Sequence, residues 1–126
     1  MAFIVFEGLD GSGKTTLMKK LSSLLDQSSI QYIMTREPGG TILGDELRDI
    51  ILRKGGDTPS PRTELLLYEA VRAQHVEKRI KPALKNNQWV LCDRYTASSM
   101  AFQSGGRNID AQNVEWLLVY CLYSEI

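Results

Sequence analysis

The stretch Gly8-Leu9-Asp10-Gly11-Ser12-Gly13-Lys14-Thr15 constrains this chain more than any other. It fits G-x-x-x-x-G-K-[ST] in full, a loop whose backbone N–H groups converge on phosphate. Such a loop works between a strand and a helix, and both are readable here. Residues 3–7 (FIVFE) are a short apolar run rich in β-formers and ending at a glycine. From Thr15 onward, Leu17, Met18, Leu21, Leu24 and Leu25 keep the spacing of a helix face turned to a core. The glycines let the backbone curl, and the helix start adds the positive end of its dipole. Lys14 offers a mobile charge to the β and γ phosphates of a nucleoside triphosphate, and Thr15 offers a hydroxyl to Mg²⁺. All eight residues, Gly8 to Thr15, are expected to cradle that ligand.

The rest of the chain extends the same pattern. Residues 30–35 (IQYIMT) read as a second strand, followed by the loop Glu37-Pro38-Gly39-Gly40. Thr41 caps a helix whose apolar face is Leu43, Leu47, Ile50 and Ile51. Ser60-Pro61 opens a long helix running to about Lys81, where Pro82 should kink or stop it. Residues 88–93 (QWVLCD) read as a third strand, and helical stretches follow at about 95–103 and 110–123. This order predicts an α/β domain with a parallel sheet layered between helices. Ligands of such sheets bind at the C-terminal ends of the strands. Three polar motifs fall there: Gly8–Thr15, Arg36–Gly40 and Asp93-Arg94-Tyr95.

Composition narrows the function classes. The 126 residues carry 15 basic and 15 acidic side chains, a net charge of zero. That excludes a general electrostatic grip on nucleic acid. No apolar run approaches the roughly 18 residues of a membrane span, and the N-terminus lacks the pattern of a signal peptide. Cys92 and Cys121 stand in no metal-ligand spacing, which suggests free thiols and a cytoplasmic location. All the basic residues lie at or before Arg107, and residues 108–126 carry only acidic charge.

A phosphate loop alone does not separate a kinase from an ATPase or a GTPase. The Asn-Lys-x-Asp spacing with which GTPases read their base is absent. Present instead, in order, are Arg36-Glu37-Pro38-Gly39-Gly40-Thr41, then Leu66-Leu67-Tyr68-Glu69-Ala70-Val71-Arg72-Ala73-Gln74-His75, then Asp93-Arg94-Tyr95, then Ser98-Ser99-Met100-Ala101-Phe102-Gln103. This series resembles the bacterial thymidylate kinases over about residues 3 to 118. The resemblance implies a P-loop fold and transfer of the γ-phosphoryl group of ATP to dTMP with Mg²⁺.

The resemblance also implies roles. Lys14 and Thr15 would hold the donor phosphates and the metal, and Asp93 would support the metal's water shell. Arg94 would bridge donor and acceptor phosphates. Asp10 would meet the 3′-hydroxyl of dTMP, and Lys14, Arg94 and Asp10 form the expected catalytic set. Glu37 would sit near the acceptor sugar and metal, and Arg48 would bind the dTMP phosphate. Tyr68 would stack on thymine, while Arg72, Ser99 and Gln103 would read the base edge. Plainer readings stand beside these. Arg48 suits a solvated helix face, Tyr68 suits a core, and Arg72 could pair with Glu69 or Glu77 on its own helix. His75 is read as structural packing and Cys92 as inert core.

The family pattern runs on beyond residue 126, through a fourth strand, an arginine-rich lid and an adenine-holding loop. The chain therefore reads as one domain over 1–126, incomplete at its C-terminus. Without the fourth strand the phosphate-loop strand becomes a sheet edge. Two other readings are a nucleotide-binding remnant with negligible turnover and another P-loop deoxynucleoside kinase. Homodimers that pair helices are a further implication of the resemblance.

Overall fold

Three parallel strands carry the fold: β1 (Phe3–Phe6), β2 (Tyr32–Arg36) and β3 (Trp89–Asp93). The structure is a computed structural model, and it describes residues 2–9 and 11–95. Asp10, Ser99 and Gln103, and the helices expected at about 95–103 and 110–123, lie outside the described residues. The strand order is β1-β3-β2, with Ile4 and Met34 in register on either side of Leu91. Among the described residues β1 is thus an edge strand. The third strand is central because its run Trp-Val-Leu-Cys is apolar on both faces. Val90, Leu91 and Cys92 are wholly buried.

Side chains alternate across this sheet with the two-residue period of a strand. Phe6 and Leu91 point to the face covered by α1 (Lys14–Gln27), where they meet Met18 and Leu25. Val90 and Cys92 point to the opposite face, where they meet Val76, Ile80, Ala83 and Tyr95. Helices on both faces of a parallel sheet give the three-layer α/β architecture expected from the sequence. Two more helices, α2 (Ile42–Ile51) and α3 (Pro61–His75), pack on each other beside the sheet. The expected caps are formed. Thr41 Oγ1 accepts from the Gly44 N–H at 2.9 Å, and Ser60 Oγ accepts from the Thr63 N–H at 3.3 Å. No helix among the described residues is long and apolar enough to cross a membrane.

Three local expectations are corrected. Of the kink or stop expected at Pro82, the stop does not occur. The chain passes from α3 through a π-helical turn, Val76–Ile80, into α4 (Lys81–Lys85). Pro82 sits in the first turn of α4, where a missing N–H is tolerated, and the wider π turn supplies the change of winding just before it. The face of α1 is narrower than its periodicity suggests, since Leu17 is 57% and Leu24 58% exposed. Met18, Leu21 and Leu25 form the stripe that packs with Phe6 and Leu91. On α2, Ile51 is buried while Leu43 and Ile50 are exposed, because the helix packs chiefly on α3.

These placements separate two leucines that the sequence puts in one class. Leu91→Ala should cost about 2–5 kcal/mol, since it opens a cavity in the central strand. Leu17→Ala should cost less than about 0.5 kcal/mol. Urea denaturation of the two variants checks the assignment, and equal losses would contradict it.

Candidate active site

The C-terminal ends of all three strands come together at one edge of the sheet. The first strand ends in the phosphate loop. Gly13 has φ +89°, a left-handed conformation that costs glycine little and lets α1 begin at Lys14. The Ser12 N–H donates to the Leu9 carbonyl at 3.1 Å, closing the turn. Lys14 Nζ reaches across to Asp93 Oδ1 at 2.6 Å, at the end of β3. The phosphate-loop lysine and the Asp93 carboxylate are therefore neighbours, although 79 residues of sequence separate them.

Arg94 follows directly. It is a non-glycine residue at φ +68°, and its N–H donates to the Phe6 carbonyl at 2.9 Å. A strained backbone of this kind costs about 1–3 kcal/mol and is a common mark of functional positions. The bond to Phe6 fixes Arg94 beside the root of the phosphate loop. Tyr95 then turns into the core, where its ring meets Phe3 edge to face at 5.1 Å. Its backbone N–H donates to Glu7 Oε1 at 2.7 Å. Glu7 had no assigned part in the sequence reading. Its one signal is a carboxylate at the exit of an apolar strand.

A buried polar cluster lies behind this edge. Glu37, just past β2, accepts from Arg72 Nε at 2.7 Å through Oε1. Through Oε2 it lies 2.9 Å from His75 Nδ1. Arg72 Nη1 also donates to Glu69 Oε1 at 2.7 Å, and Nη2 donates to the Tyr95 carbonyl at 3.2 Å. The guanidinium stands 5.1 Å from the centre of the Tyr95 ring. Burial alone would lower the Arg72 pKa. The two carboxylates, Glu37 first, outweigh that and hold it above its ordinary value. Breaking one partner out of a buried set like this typically costs about 3–5 kcal/mol.

This cluster answers several sequence readings. Arg72 does pair with Glu69 on its own helix, and it pairs as well with Glu37 from the loop after β2, which helical spacing could not reveal. Glu37, expected beside the acceptor sugar and metal, is turned inward with both oxygens engaged by Arg72 and His75. Tyr68 is half-buried four residues before Arg72, on the same side of α3. Arg48 on α2 is half-buried, and its Nε is buried with no hydrogen-bond partner among the described residues. An unsatisfied guanidinium nitrogen is costly unless an acceptor reaches it. Burial raises the Cys92 thiol pKa far above its ordinary value, so this cysteine stays protonated.

An open cleft of about 540 Å³ joins the phosphate loop to the second strand, lined by Thr15, Thr35, Arg36, Gly40, Thr41 and Asp93. No group of three or more His, Cys, Asp or Glu side chains among the described residues could cage a metal. Thr15 and Asp93 offer a hydroxyl and a carboxylate at one end of the cleft. Hard oxygen donors, few in number, fit an Mg²⁺ that keeps its waters and substrate phosphates as its other ligands.

Comparison with known proteins agrees with this geometry. The thymidylate kinase family profile matches residues 6–122. A thymidylate kinase of Bdellovibrio bacteriovorus is 62% identical over 117 residues, which cover 93% of this chain and 55% of the relative. One from Trichormus variabilis is 49% identical, covering 91% of this chain and 55% of the relative. The crystal structure of thymidylate kinase from Ehrlichia chaffeensis superposes with a TM-score of 0.77 at 39% identity, covering 92% of this chain and 66% of that one. The chain spans about half the length of the curated relatives it matches. A phosphate loop facing Asp93-Arg94, with a Glu37–Arg72 cluster behind it, on a matching fold and over nearly the whole of its length, makes this chain a member of the thymidylate kinase family.

Proposed function

We propose that this chain carries the nucleotide-binding and phosphoryl-transfer residues of a dTMP kinase, which uses ATP and Mg²⁺ and works in the cytoplasm. The observation that carries the reading is Lys14 Nζ at 2.6 Å from Asp93 Oδ1, at the strand ends where Arg94 also stands. Phosphoryl transfer needs little covalent help. It needs two phosphates held in line and positive charge around the group in flight. Lys14 supplies a point charge, and in the absence of anion Asp93 neutralises it. Arg94 supplies a planar, permanently charged fork suited to two oxygens at once. Thr15 and Asp93 would hold Mg²⁺ and its water shell, and that ion supplies charge neutralisation for the donor phosphates.

The acceptor side follows from chemistry. The unpartnered Nε of Arg48 suits the monophosphate of dTMP. Tyr68 offers a flat face to a pyrimidine, and Arg72 offers donors to its carbonyls. Asp10, Ser99 and Gln103 keep the roles the resemblance implies for them, as part of this proposal. The exposed Leu43, Ile50 and Leu66 on α2 and α3 suit pairing of helices in a homodimer.

Calorimetric titration of the 126-residue chain with dTMP, dUMP, dCMP and dGMP tests the substrate. A clear preference for dTMP is expected, and equal affinities overturn the assignment. A coupled ADP-release assay separates a working kinase from a chain that binds nucleotide without turnover. Lys14→Ala should weaken ATP binding about 10- to 100-fold, the loss of one charged contact. The helical circular dichroism should persist. Unchanged ATP affinity would remove Lys14 from the donor site.

A further inference from the structure

His75 lies outside every role assigned so far, yet it is wholly buried. Its Nδ1 is 2.9 Å from Glu37 Oε2, and its Nε2 is 2.6 Å from Thr35 Oγ1. A carboxylate can only accept, so Nδ1–H donates to Glu37. The Thr35 hydroxyl meets the other nitrogen and fixes the ring plane. Gly40 packs directly on this ring. A Cβ placed there would clash with His75 Cδ2, and the residue has φ +85°. The glycine of the loop and the histidine on α3 therefore form one packing unit, although 35 positions of sequence separate them.

We infer that His75, with Thr35 behind it, is a positioning residue that holds Glu37 and through it the Arg72 guanidinium and the loop 37–41. The inference rests on the proposal that Arg72 meets the acceptor base. Among the described residues each Glu37 oxygen has one side-chain holder: Oε1 has Arg72 and Oε2 has His75. With both sides tied, the carboxylate cannot rotate. Without the imidazole, Glu37 has a second orientation open to it, and Arg72 keeps Glu69 and the Tyr95 carbonyl but loses the fixed partner of its Nε. At the donor end, Lys14 pairs with Asp93, and the link from there to Glu37 runs through the backbone, where the Glu37 N–H donates to the Asp93 carbonyl at 3.0 Å. Loss of His75 frees the Glu37 side chain and leaves that backbone bond in place, so it is felt by the acceptor nucleotide more than by ATP.

Two near-isosteres separate positioning from space filling. His75→Asn keeps an N–H near the Nδ1 position and hence the donor to Glu37. His75→Gln carries its amide toward the Nε2 position and keeps only the Thr35 side. Calorimetric titration of the 126-residue chain with dTMP and, separately, ATP reads the difference. His75→Gln and His75→Ala should bind dTMP about 10-fold more weakly, the scale of one lost buried hydrogen bond, while His75→Asn stays within about 3-fold of wild type. ATP affinity should stay within about 2-fold throughout. Equal loss for Asn and Gln, or parallel loss of ATP binding, makes His75 a packing residue and overturns the inference. Thr35→Val keeps the side-chain shape and removes the hydroxyl, so it decides the matter if the His75 variants fail to fold. A dTMP affinity about 3-fold weaker or more supports positioning, and an unchanged one overturns it. Failure of the wild type to prefer dTMP sinks the acceptor-site reading and this inference together. A wild type that prefers dTMP, with variants that match it, sinks the inference alone.

Discussion

The buried contact between Glu37 and Arg72 ties together parts of the chain that otherwise have little reason to meet. Glu37 leaves the end of β2, and Arg72 sits near the end of α3. An unpaired charge in that place would be expensive, so the loop after β2 and the helix α3 hold each other in one arrangement. Glu69, His75, Thr35 and the Tyr95 carbonyl join the set. Tyr95 joins it to β3, and Glu7 joins Tyr95 to β1. All three strand ends are thereby connected by polar contacts behind the cleft. The apolar core gives the sheet its two faces, and this network sets where the cleft's rim residues stand.

Charge is divided along the same line. On the donor side stands Lys14, balanced by Asp93 close to solvent, where an incoming anion can compete for the lysine. Arg72 is balanced inside the protein by Glu37 and Glu69. The first pair is arranged to be exchanged, and the second to stay. Under the proposed function, that difference suits a phosphate site that must release its ligand next to an acceptor site that must keep its shape.

Much of this was legible in the sequence. The phosphate loop, the strand before it and the helix after it form one local pattern, and the structure follows it. The caps at Thr41 and Ser60 were legible for the same reason, since a cap is a contact three residues long. Local periodicity overstated the buried faces of α1 and α2, because exposure of Leu17, Leu24 and Leu43 depends on which neighbour lies over them. The passage of the helix through Pro82 depended on a π turn, which leaves no signal in spacing. The Glu37–Arg72–His75 cluster was hidden most deeply. Each member had a motif around it, but a pairing across 35 or 38 residues is a property of the topology. His75 looked like packing and is also a hydrogen-bonding partner at both nitrogens.

The claim that one buried network joins the loop after β2 to α3 is tested most directly by a double-mutant cycle. Urea denaturation of Glu37→Gln, Arg72→Met and the double variant gives the coupling between them. A coupling of at least about 1 kcal/mol, with the double variant losing less than the two singles together, is the result this account predicts. Losses that add within about 0.3 kcal/mol would contradict it, because the two side chains would then stabilise their own segments independently.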